Sequence, residues 1–246
     1  MKPKVAIFEF GCCEGCQLQI PNLEEKLLEL LEHIELVSWR EGSSAHSDGP
    51  YDIAFVEGSI TREEEMERLR WIREQSRILV ALGACAHIGG VNAIKNSMDQ
   101  DEVRRYVYGD KAEWFPSIPA RPLSAVVPVD YAVPGCPIDK EEFLEVVKAL
   151  LMGKTPVLPN YPVCVECKRA ENICVYEKGL TCLGPVTRAG CNARCPSFGN
   201  RCIGCRGLVD DPNINAHKDV MARYGLCVED IINKYNMFWG YSEVVR

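Results

Sequence analysis

The placement of four cysteines constrains the fold of this chain more than any other feature. Each follows a short apolar segment rich in β-forming residues, a pattern typical of a buried parallel strand. Ligand sites in open α/β sheets form outside the carboxyl ends of the strands, so thiols from distant segments should meet at one edge. These residues are Cys13, Cys16, Cys85 and Cys136. Four thiolates from such positions are the ligand set of a 4Fe4S cluster.

Apolar runs and amphipathic helical patterns alternate along the first part of the chain, which predicts repeated βα units. Strands are expected at 4–10, 34–39, 51–59, 77–82 and 125–133. Helices are expected at 21–34, 61–76 and 139–152, with another beginning beyond His87. The short crossover after the first strand favours a flavodoxin-like, doubly wound parallel sheet over a full dinucleotide-binding fold.

The texture of the sequence changes at the proline-rich segment 153–162, beyond which cysteine, glycine and proline dominate. We therefore expect a flavodoxin-like domain over residues 1–154 and an irregular, cysteine-rich iron–sulfur domain over 155–246. Leu, Ile, Val and Phe are sparse in the second domain, so metal centres rather than a conventional core are expected to organise it.

Eight further cysteines in this second part suit two sites of four thiolates each. They are Cys164, Cys167, Cys174, Cys182, Cys191, Cys195, Cys202 and Cys205. Their CxxC pairs are also compatible with tetrahedral zinc, so a zinc-stabilised interaction module stays open as an alternative. A disulfide framework is not expected, because thiols stay reduced in the cytoplasm.

For several other residues the sequence is compatible with either a structural or a functional role. Cys12 adjoins Cys13, and the sequence does not decide which of the two faces the site. Cys227 is expected to be a buried thiol in a helix. Glu14 and Glu57 fall at the edge that carries the cysteines, where a carboxylate could relay protons or accept hydrogen bonds from a partner subunit. Glu57, at the end of a strand, is expected to hold a neighbouring loop through backbone N–H groups, with the functional role as the alternative, whereas a non-functional role is favoured for Glu14.

The histidines give no clear metal-binding pattern. His33, His46 and His217 lie in amphipathic or polar stretches and are predicted to be surface or capping residues. His87 lies two residues past Cys85 and has no assigned role.

Composition limits the class of partner. The net charge of −7 over 246 residues argues against nucleic acid or an anionic membrane surface. No export signal and no apolar run of membrane-spanning length is visible, so a cytoplasmic location is expected. Neither a P-loop nor a GxGxxG motif follows the first strand, so no nucleotide site is predicted.

The motifs GCCEGC, VEGSI, GACA, PGCP, CVYEKGLTCLGPVTRAGCNARCP and CIGCRG resemble those of the small subunit of nickel-iron hydrogenases. The resemblance covers nearly the whole chain. It is strongest to the cytoplasmic, multimeric type, such as archaeal sulfhydrogenase delta subunits and the methanogen enzymes that reduce the deazaflavin F420 or feed heterodisulfide reductase, the latter being of the F420-non-reducing type. The related 20 kDa subunit of respiratory complex I shares the first domain and is the second alternative.

The resemblance implies three 4Fe4S clusters, all with cysteine ligands. A proximal cluster would be held by Cys13, Cys16, Cys85 and Cys136. A distal cluster would be held by Cys164, Cys167, Cys174 and Cys182. A medial cluster would be held by Cys191, Cys195, Cys202 and Cys205. Cys164 stands where membrane-linked relatives use histidine, and Cys195 stands where they often have proline.

The same resemblance implies that this chain relays electrons between a nickel-iron large subunit, where H2 is split or formed, and a flavin or iron–sulfur partner subunit. The nickel-iron site belongs to the large subunit, so no H2 activity is expected from this chain alone. All-thiolate clusters favour low potentials, which suit acceptors such as NAD(P), F420 or ferredoxin.

Overall fold

In the computed structural model, which describes residues 2–242, the first part of the chain forms a five-stranded parallel sheet. The strands are β1 Lys4–Glu9, β2 Glu35–Trp39, β3 Tyr51–Glu57, β4 Ser76–Leu82 and β5 Tyr131–Val133. Their spatial order is β2-β1-β3-β4-β5, and each neighbouring pair is parallel. This is the flavodoxin-like order, so the predicted fold class is confirmed.

The chain also forms ten α-helices within the described residues. They are α1 Gly15–Leu18, α2 Glu25–Leu31, α3 Glu63–Gln75, α4 Gly83–Ile88, α5 Gln100–Tyr108, α6 Lys140–Leu151, α7 Val163–Arg169, α8 Arg194–Ser197, α9 Ile214–Arg223 and α10 Val228–Trp239. Short 3₁₀ segments lie at Pro21–Leu23, Gly90–Ser97, Gly109–Trp114, Leu123–Ala125 and Val175–Lys178.

Both faces of the sheet are buried because successive side chains of each strand point to opposite sides. On β3, Ile53 and Phe55 belong to one apolar cluster, whereas Ala54 and Val56 belong to another. Helices α2 and α6 cover the first face, and α3 covers the second. The sheet is therefore doubly wound, and its carboxyl edge is left to the loops that carry cysteines.

Local capping explains where the two long helices of the sheet begin. Asp139 accepts hydrogen bonds from the backbone N–H groups of Glu141 and Glu142 and so caps α6. Glu65 Oε2 accepts from the N–H groups of Thr61 and Arg62 at the start of α3. The predicted helices 139–152 and 61–76 match these elements to within a few residues.

Three predicted elements differ from the structure. The helix expected at 21–34 is interrupted at Glu24, whose φ of 55° is not helical, so it splits into a 3₁₀ turn and α2. The strand expected at 125–133 is reduced to β5, since Leu123–Ala125 forms a 3₁₀ turn. Helix α4 begins at Gly83 rather than beyond His87 and contains Cys85.

The expectation that the C-terminal part lacks a conventional core is wrong. Ala84 packs there with a cluster of buried side chains, namely Leu183, Val186, Ile214, Met221, Ile231, Tyr235, Phe238 and Trp239. Large aromatic side chains supply much of the buried volume. The expectation was based on the scarcity of Leu, Ile, Val and Phe and did not consider Tyr and Trp. Within residues 2–242 no helix has the length and hydrophobicity to cross a bilayer.

Candidate functional site

The loops at the carboxyl edge of the sheet bring the four predicted thiols together. Burial and, to a smaller extent, the neighbouring thiolates of Cys136 and Cys13 raise the pKa of the Cys85 thiol to about 12. Burial likewise raises the pKa of Cys16, and Glu57 and Cys136 add to this. These four thiols therefore lie near one another, with Cys13 and Cys136 exposed and Cys16 buried.

Cys12 shares this environment. Burial, followed by the charge of Glu57 and, to a smaller extent, that of Cys85, raises the pKa of its thiol to about 12. Cys12 and Cys13 thus both lie within electrostatic reach of Cys85.

Two glycines make space for the thiols at this edge. A Cβ at Gly83, where φ is +82°, would lie 2.3 Å from Cys16 Sγ. A Cβ at Gly90 would lie 3.0 Å from Cys85 Sγ and 2.9 Å from the Cys85 backbone N. Real side chains do not approach so closely, so only glycine leaves this edge open to a sulfur-bound group.

Glu57 fixes the orientation of the Cys16 segment. The side chain is 2% exposed, and its two oxygens accept hydrogen bonds from the backbone N–H groups of Cys16 and Gln17, both at 3.1 Å. Trp39 Nε1 donates to Gln17 Oε1 at 2.7 Å and holds the same segment from β2. The predicted structural role of Glu57 is confirmed, whereas sequence reasoning missed Gln17 and Trp39.

A second group of thiols forms around α7. Burial, with smaller effects from the thiolates of Cys182, Cys167 and Cys174, raises the pKa of Cys164 to about 11. A Cβ at Gly184 would lie 3.3 Å from Cys182 Sγ and 3.5 Å from Cys164 Sγ, so these two sulfurs approach one point. The four cysteines predicted for the distal site are therefore neighbours.

A third group lies between the other two. Burial, with smaller effects from the thiolates of Cys191, Cys136 and Cys195, raises the pKa of Cys205 to about 12. Burial also raises the pKa of Cys202, with Cys182 and Cys205 adding to this. Cys136, Cys191, Cys195 and Cys205 line one cavity of about 840 Å³.

Backbone hydrogen bonds join each group of thiols to the next. The backbone N–H of Cys202, in the middle group, donates to Cys182 Sγ at 3.2 Å. The Cys136 backbone hydrogen-bonds to the Cys205 thiolate and opposes the rise in its pKa. The three groups therefore form a continuous row, and a predicted ligand of one group touches a predicted ligand of the next.

His217 is buried, so the prediction of a surface role is wrong, while His33 and His46 are exposed as expected. Its Nδ1 lies 2.7 Å from Tyr235 Oη, and its Nε2 lies 2.9 Å from the Cys182 carbonyl oxygen. Tyr176 Oη donates to the same carbonyl at 3.0 Å. The polar sequence around His217 concealed this role, because the partners come from distant segments.

Arg206 is a further residue that sequence reasoning did not assign. It is 1% exposed, and its guanidinium donates to both carboxylate oxygens of Glu142, at 2.8 and 2.6 Å, and to the Pro134 carbonyl at 2.8 Å. Burial raises the pKa of Cys191, and the charge of Arg206 is one of the effects that oppose this rise. The one sequence feature that could have indicated a role for Arg206 is its position directly after the CIGC pair.

Cys227, predicted to be buried, is instead exposed at the N-cap of α10.

The donor set suits a sulfur-bridged iron centre at each group. Buried thiols with raised pKa values stay protonated when unbound, and a cationic centre stabilises the thiolates and releases their protons. The glycines and backbone N–H groups around the sulfurs match the outer shell that such ligands require. Within residues 2–242 no three His, Cys, Asp or Glu side chains are grouped to hold a single metal ion.

Comparison with known proteins identifies the family. A family model described as the NADH ubiquinone oxidoreductase, 20 Kd subunit matches residues 13–150. The sulfhydrogenase 2 subunit delta of Pyrococcus furiosus is 42% identical over 96% of this chain and 98% of its own length. The chain belongs to the family of hydrogenase small subunits.

Other hydrogenase subunits are also similar to this small subunit. A subunit of the F420-non-reducing hydrogenase vhu of Methanocaldococcus jannaschii is 35% identical over 94% of this chain and 91% of its own length. A crystal structure of an NAD+-reducing [NiFe]-hydrogenase superposes with a TM-score of 0.58 at 30% identity, covering 65% of this chain and 96% of the other. Like these relatives, the small subunit is a component of an oxidoreductase complex. Membership of this family argues against the alternative that the chain is a zinc-stabilised interaction module.

Proposed function

We propose that the small subunit carries three 4Fe4S clusters and relays electrons between the nickel-iron site of its large subunit and a second redox partner. The observation that supports this most is the continuous row of three thiol groups, joined by hydrogen bonds between predicted ligands. When bound, such clusters accept and donate single electrons.

The assignment of ligands follows the three groups. We assign Cys13, Cys16, Cys85 and Cys136 to the proximal cluster. We assign Cys191, Cys195, Cys202 and Cys205 to the medial cluster and Cys164, Cys167, Cys174 and Cys182 to the distal cluster. The division into domains 1–154 and 155–246 is part of the same proposal.

The residues around the thiols have distinct tasks in this proposal. Glu57 and Gln17 keep the Cys16 segment in place, and Arg206 places a buried positive charge near Cys191 and Cys205. A cation beside thiolates offsets their charge, which stabilises a site of four such ligands. Hydrogen bonds to Cys182 Sγ from Gly184 and Cys202 act in the same direction at the distal group.

The partner at the far end of the row is proposed to be a flavin or iron–sulfur subunit in the cytoplasm, serving NAD(P), F420 or ferredoxin. All-thiolate clusters favour the low potentials that these acceptors need.

Metal analysis of anaerobically purified protein tests the proposal. About twelve iron and twelve acid-labile sulfide per chain, the sum for three four-iron clusters, would support it. Zinc at about two per chain with little sulfide, as expected for paired Cys₄ zinc sites, would contradict it for the C-terminal part. Variants that lack one cysteine should each lose iron only from the cluster of the group to which that cysteine is assigned, which tests the ligand assignment.

A further inference from the structure

Residues 98–115, here called the arm, expose an unusual amount of aromatic and apolar surface. Tyr106 is 93% exposed, Trp114 is 72% exposed and Val107 is 60% exposed. Neither α5 nor the 3₁₀ segment Gly109–Trp114, which together form most of the arm, contains a buried residue. Clustered exposed apolar side chains of this kind mark interaction sites on soluble proteins.

The arm is held in a defined shape although it buries little. Asp99 caps α5 by accepting from the N–H groups of Asp101 and Glu102. The rings of Tyr108 and Phe115 stack with centroids 4.2 Å apart, which ties the two halves of the arm together. A preorganised surface loses little conformational entropy when a partner binds.

Both ends of the arm are fixed to the carboxyl edge of the sheet. Before the arm, Asn92 Nδ2 donates to the Gly11 carbonyl at 2.6 Å and to Ser59 Oγ at 2.8 Å. After it, the backbone N–H of Ile118 donates to the Thr61 carbonyl at 2.8 Å. Gly11 immediately precedes the Cys12–Cys13 pair, so the arm and the exposed thiols Cys13 and Cys136 share one edge of the molecule.

We propose that the arm is a docking surface for the nickel-iron large subunit. This rests on the proposed function, since a large subunit that exchanges electrons with the proximal group must approach the edge from which the arm projects. The arm is also chemically suited to a protein partner. Tyr, Trp and Arg dominate the energetics of protein interfaces, and Tyr106, Trp114 and Arg105 are exposed here.

The charges of the arm favour a protein over other partners. The arm is slightly acidic, with five acidic residues against three basic ones, namely Asp99, Asp101, Glu102, Asp110 and Glu113 against Arg104, Arg105 and Lys111. Anionic membranes and nucleic acids select strongly basic surfaces, which the arm does not present.

The test compares two double variants of the full chain, each co-produced with a tagged large subunit. The arm variant combines Tyr106→Ser and Trp114→Ser. The control combines Val157→Ser and Val228→Ser, which are 91% and 74% exposed and lie outside the arm. The dissociation constant of the pair is measured by dilution and mass photometry, with iron content measured on each sample.

We expect the arm variant to bind the large subunit at least about tenfold more weakly, the loss typical of interface anchors, with iron content unchanged. The control should bind like the wild type. Equal binding by both variants would overturn the proposal. So would loss of self-association by the arm variant without loss of binding, because the occupant would then be a second copy.

A second measurement keeps the inference testable if the arm variant folds poorly. Hydrogen exchange of the wild-type chain, alone and in the complex, should show protection of residues 98–115 on binding. An arm that exchanges equally in both states contradicts the proposal. If the wild-type chain does not bind a large subunit at all, the proposed function fails, and that result is distinct from an unprotected arm within a formed complex.

Discussion

Gly83 shows how a missing side chain shapes the proximal group. The residue begins α4 directly after β4, and its φ of +82° is one that residues with a Cβ rarely adopt. The space that a methyl group would take is occupied by Cys16 Sγ. The position therefore combines a backbone requirement with a steric one.

Gly83→Ala should remove the proximal cluster, because the new Cβ would displace Cys16 Sγ. The expected result is a loss of about four of twelve iron atoms per chain, measured by metal analysis and by electron paramagnetic resonance (EPR). Gly179→Ala is the matched control, since Gly179 has φ +73° but nothing within 4 Å of a Cβ. Both variants carry about 1–3 kcal/mol of backbone strain, so an equal loss of iron in both would refute the steric argument.

Replacement of Cys195 tests the medial assignment. Cys195→Pro or Cys195→Ala removes a thiol that is exposed and close to Cys205. The expected outcome is conversion of one 4Fe4S signal to a 3Fe4S signal in the EPR spectrum, because three cysteine ligands remain. An unchanged spectrum would mean that Cys195 is not a ligand. Cys227→Ala, at the other exposed C-terminal thiol, should leave all signals unchanged.

His217→Phe tests whether hydrogen bonds to the Cys182 carbonyl tune the distal cluster. Burial lowers the pKa of His217, so the ring is neutral, and with Tyr235 donating to Nδ1 the Nε2–H group donates to Cys182. Loss of that donor should lower the midpoint potential of the distal cluster, since hydrogen bonding near the sulfurs stabilises the reduced state. A redox titration followed by EPR measures it. His33→Phe, on the surface, should have no effect, and an unshifted potential in His217→Phe would rule out tuning.

At the scale of elements, the cysteine-rich segments are tied to the sheet by a few buried polar groups. Arg206 links the CIGC segment to α6 through Glu142 and to the segment before Cys136 through the Pro134 carbonyl. Burial raises the pKa of Glu142, and the Arg206 guanidinium opposes that rise. The pair thus holds the medial group against the loop that carries a proximal thiol.

Arg206→Ala should strongly destabilise the chain because it leaves the Glu142 carboxylate buried without its partner. A cost of about 3–5 kcal/mol is expected for breaking such a pair, or a fall of roughly 6–20 °C in Tm by anaerobic differential scanning calorimetry. Lys26→Met is the control. It breaks an exposed ion pair with Glu141, which lies on α6 beside Glu142, and should change Tm little. Arg206→Met combined with Glu142→Leu should recover part of the loss. Equal Tm values for Arg206→Ala and the wild type would contradict this role.

The elements that the sequence predicted well are those with a strong local signal. The strands β1 to β4 are short apolar runs, and helices α3 and α6 have helical periodicity and N-terminal caps. The bounds of these elements therefore follow from nearby residues. The break at Glu24 and the early start of α4 at Gly83 depend on contacts with other segments. Similarly, the four thiols at the edge of the sheet could be predicted because their cysteines follow strand ends, and the other eight because they lie close together in the sequence. The burial of His217 and Arg206 depends instead on residues far away in the chain.

At the scale of the whole molecule, the C-terminal part is joined to the sheet by apolar packing as well as by Arg206. Ala84, next to the proximal cysteine Cys85, packs in the same cluster as Trp239 of α10. Trp239 Nε1 also donates to the Gly204 carbonyl between Cys202 and Cys205 at 2.8 Å. The helices at the C-terminus therefore support the middle of the row of thiol groups.

The isolated small subunit should catalyse no H2-dependent dye reduction, because we place the nickel-iron site in the large subunit. The complex formed by adding the large subunit should catalyse this reaction, measured anaerobically with a viologen dye. Dithionite-driven reduction of the clusters in the isolated chain serves as the control for intact iron–sulfur centres. H2-dependent reduction by the small subunit alone would contradict the division of labour.

The hydrogen bonds from Cys202 to Cys182 Sγ and from Cys136 to the Cys205 thiolate have a consequence for damage by oxygen. In the proposed assignment, each of these cysteines is a ligand to its own centre and a neighbour to the next. Oxidation of the middle centre would move Cys202 and Cys205 and so disturb the sulfur environment on both sides. Oxidative damage to the medial centre would therefore affect the proximal and distal centres too. The medial centre would have to be reassembled before the other two regain their native surroundings.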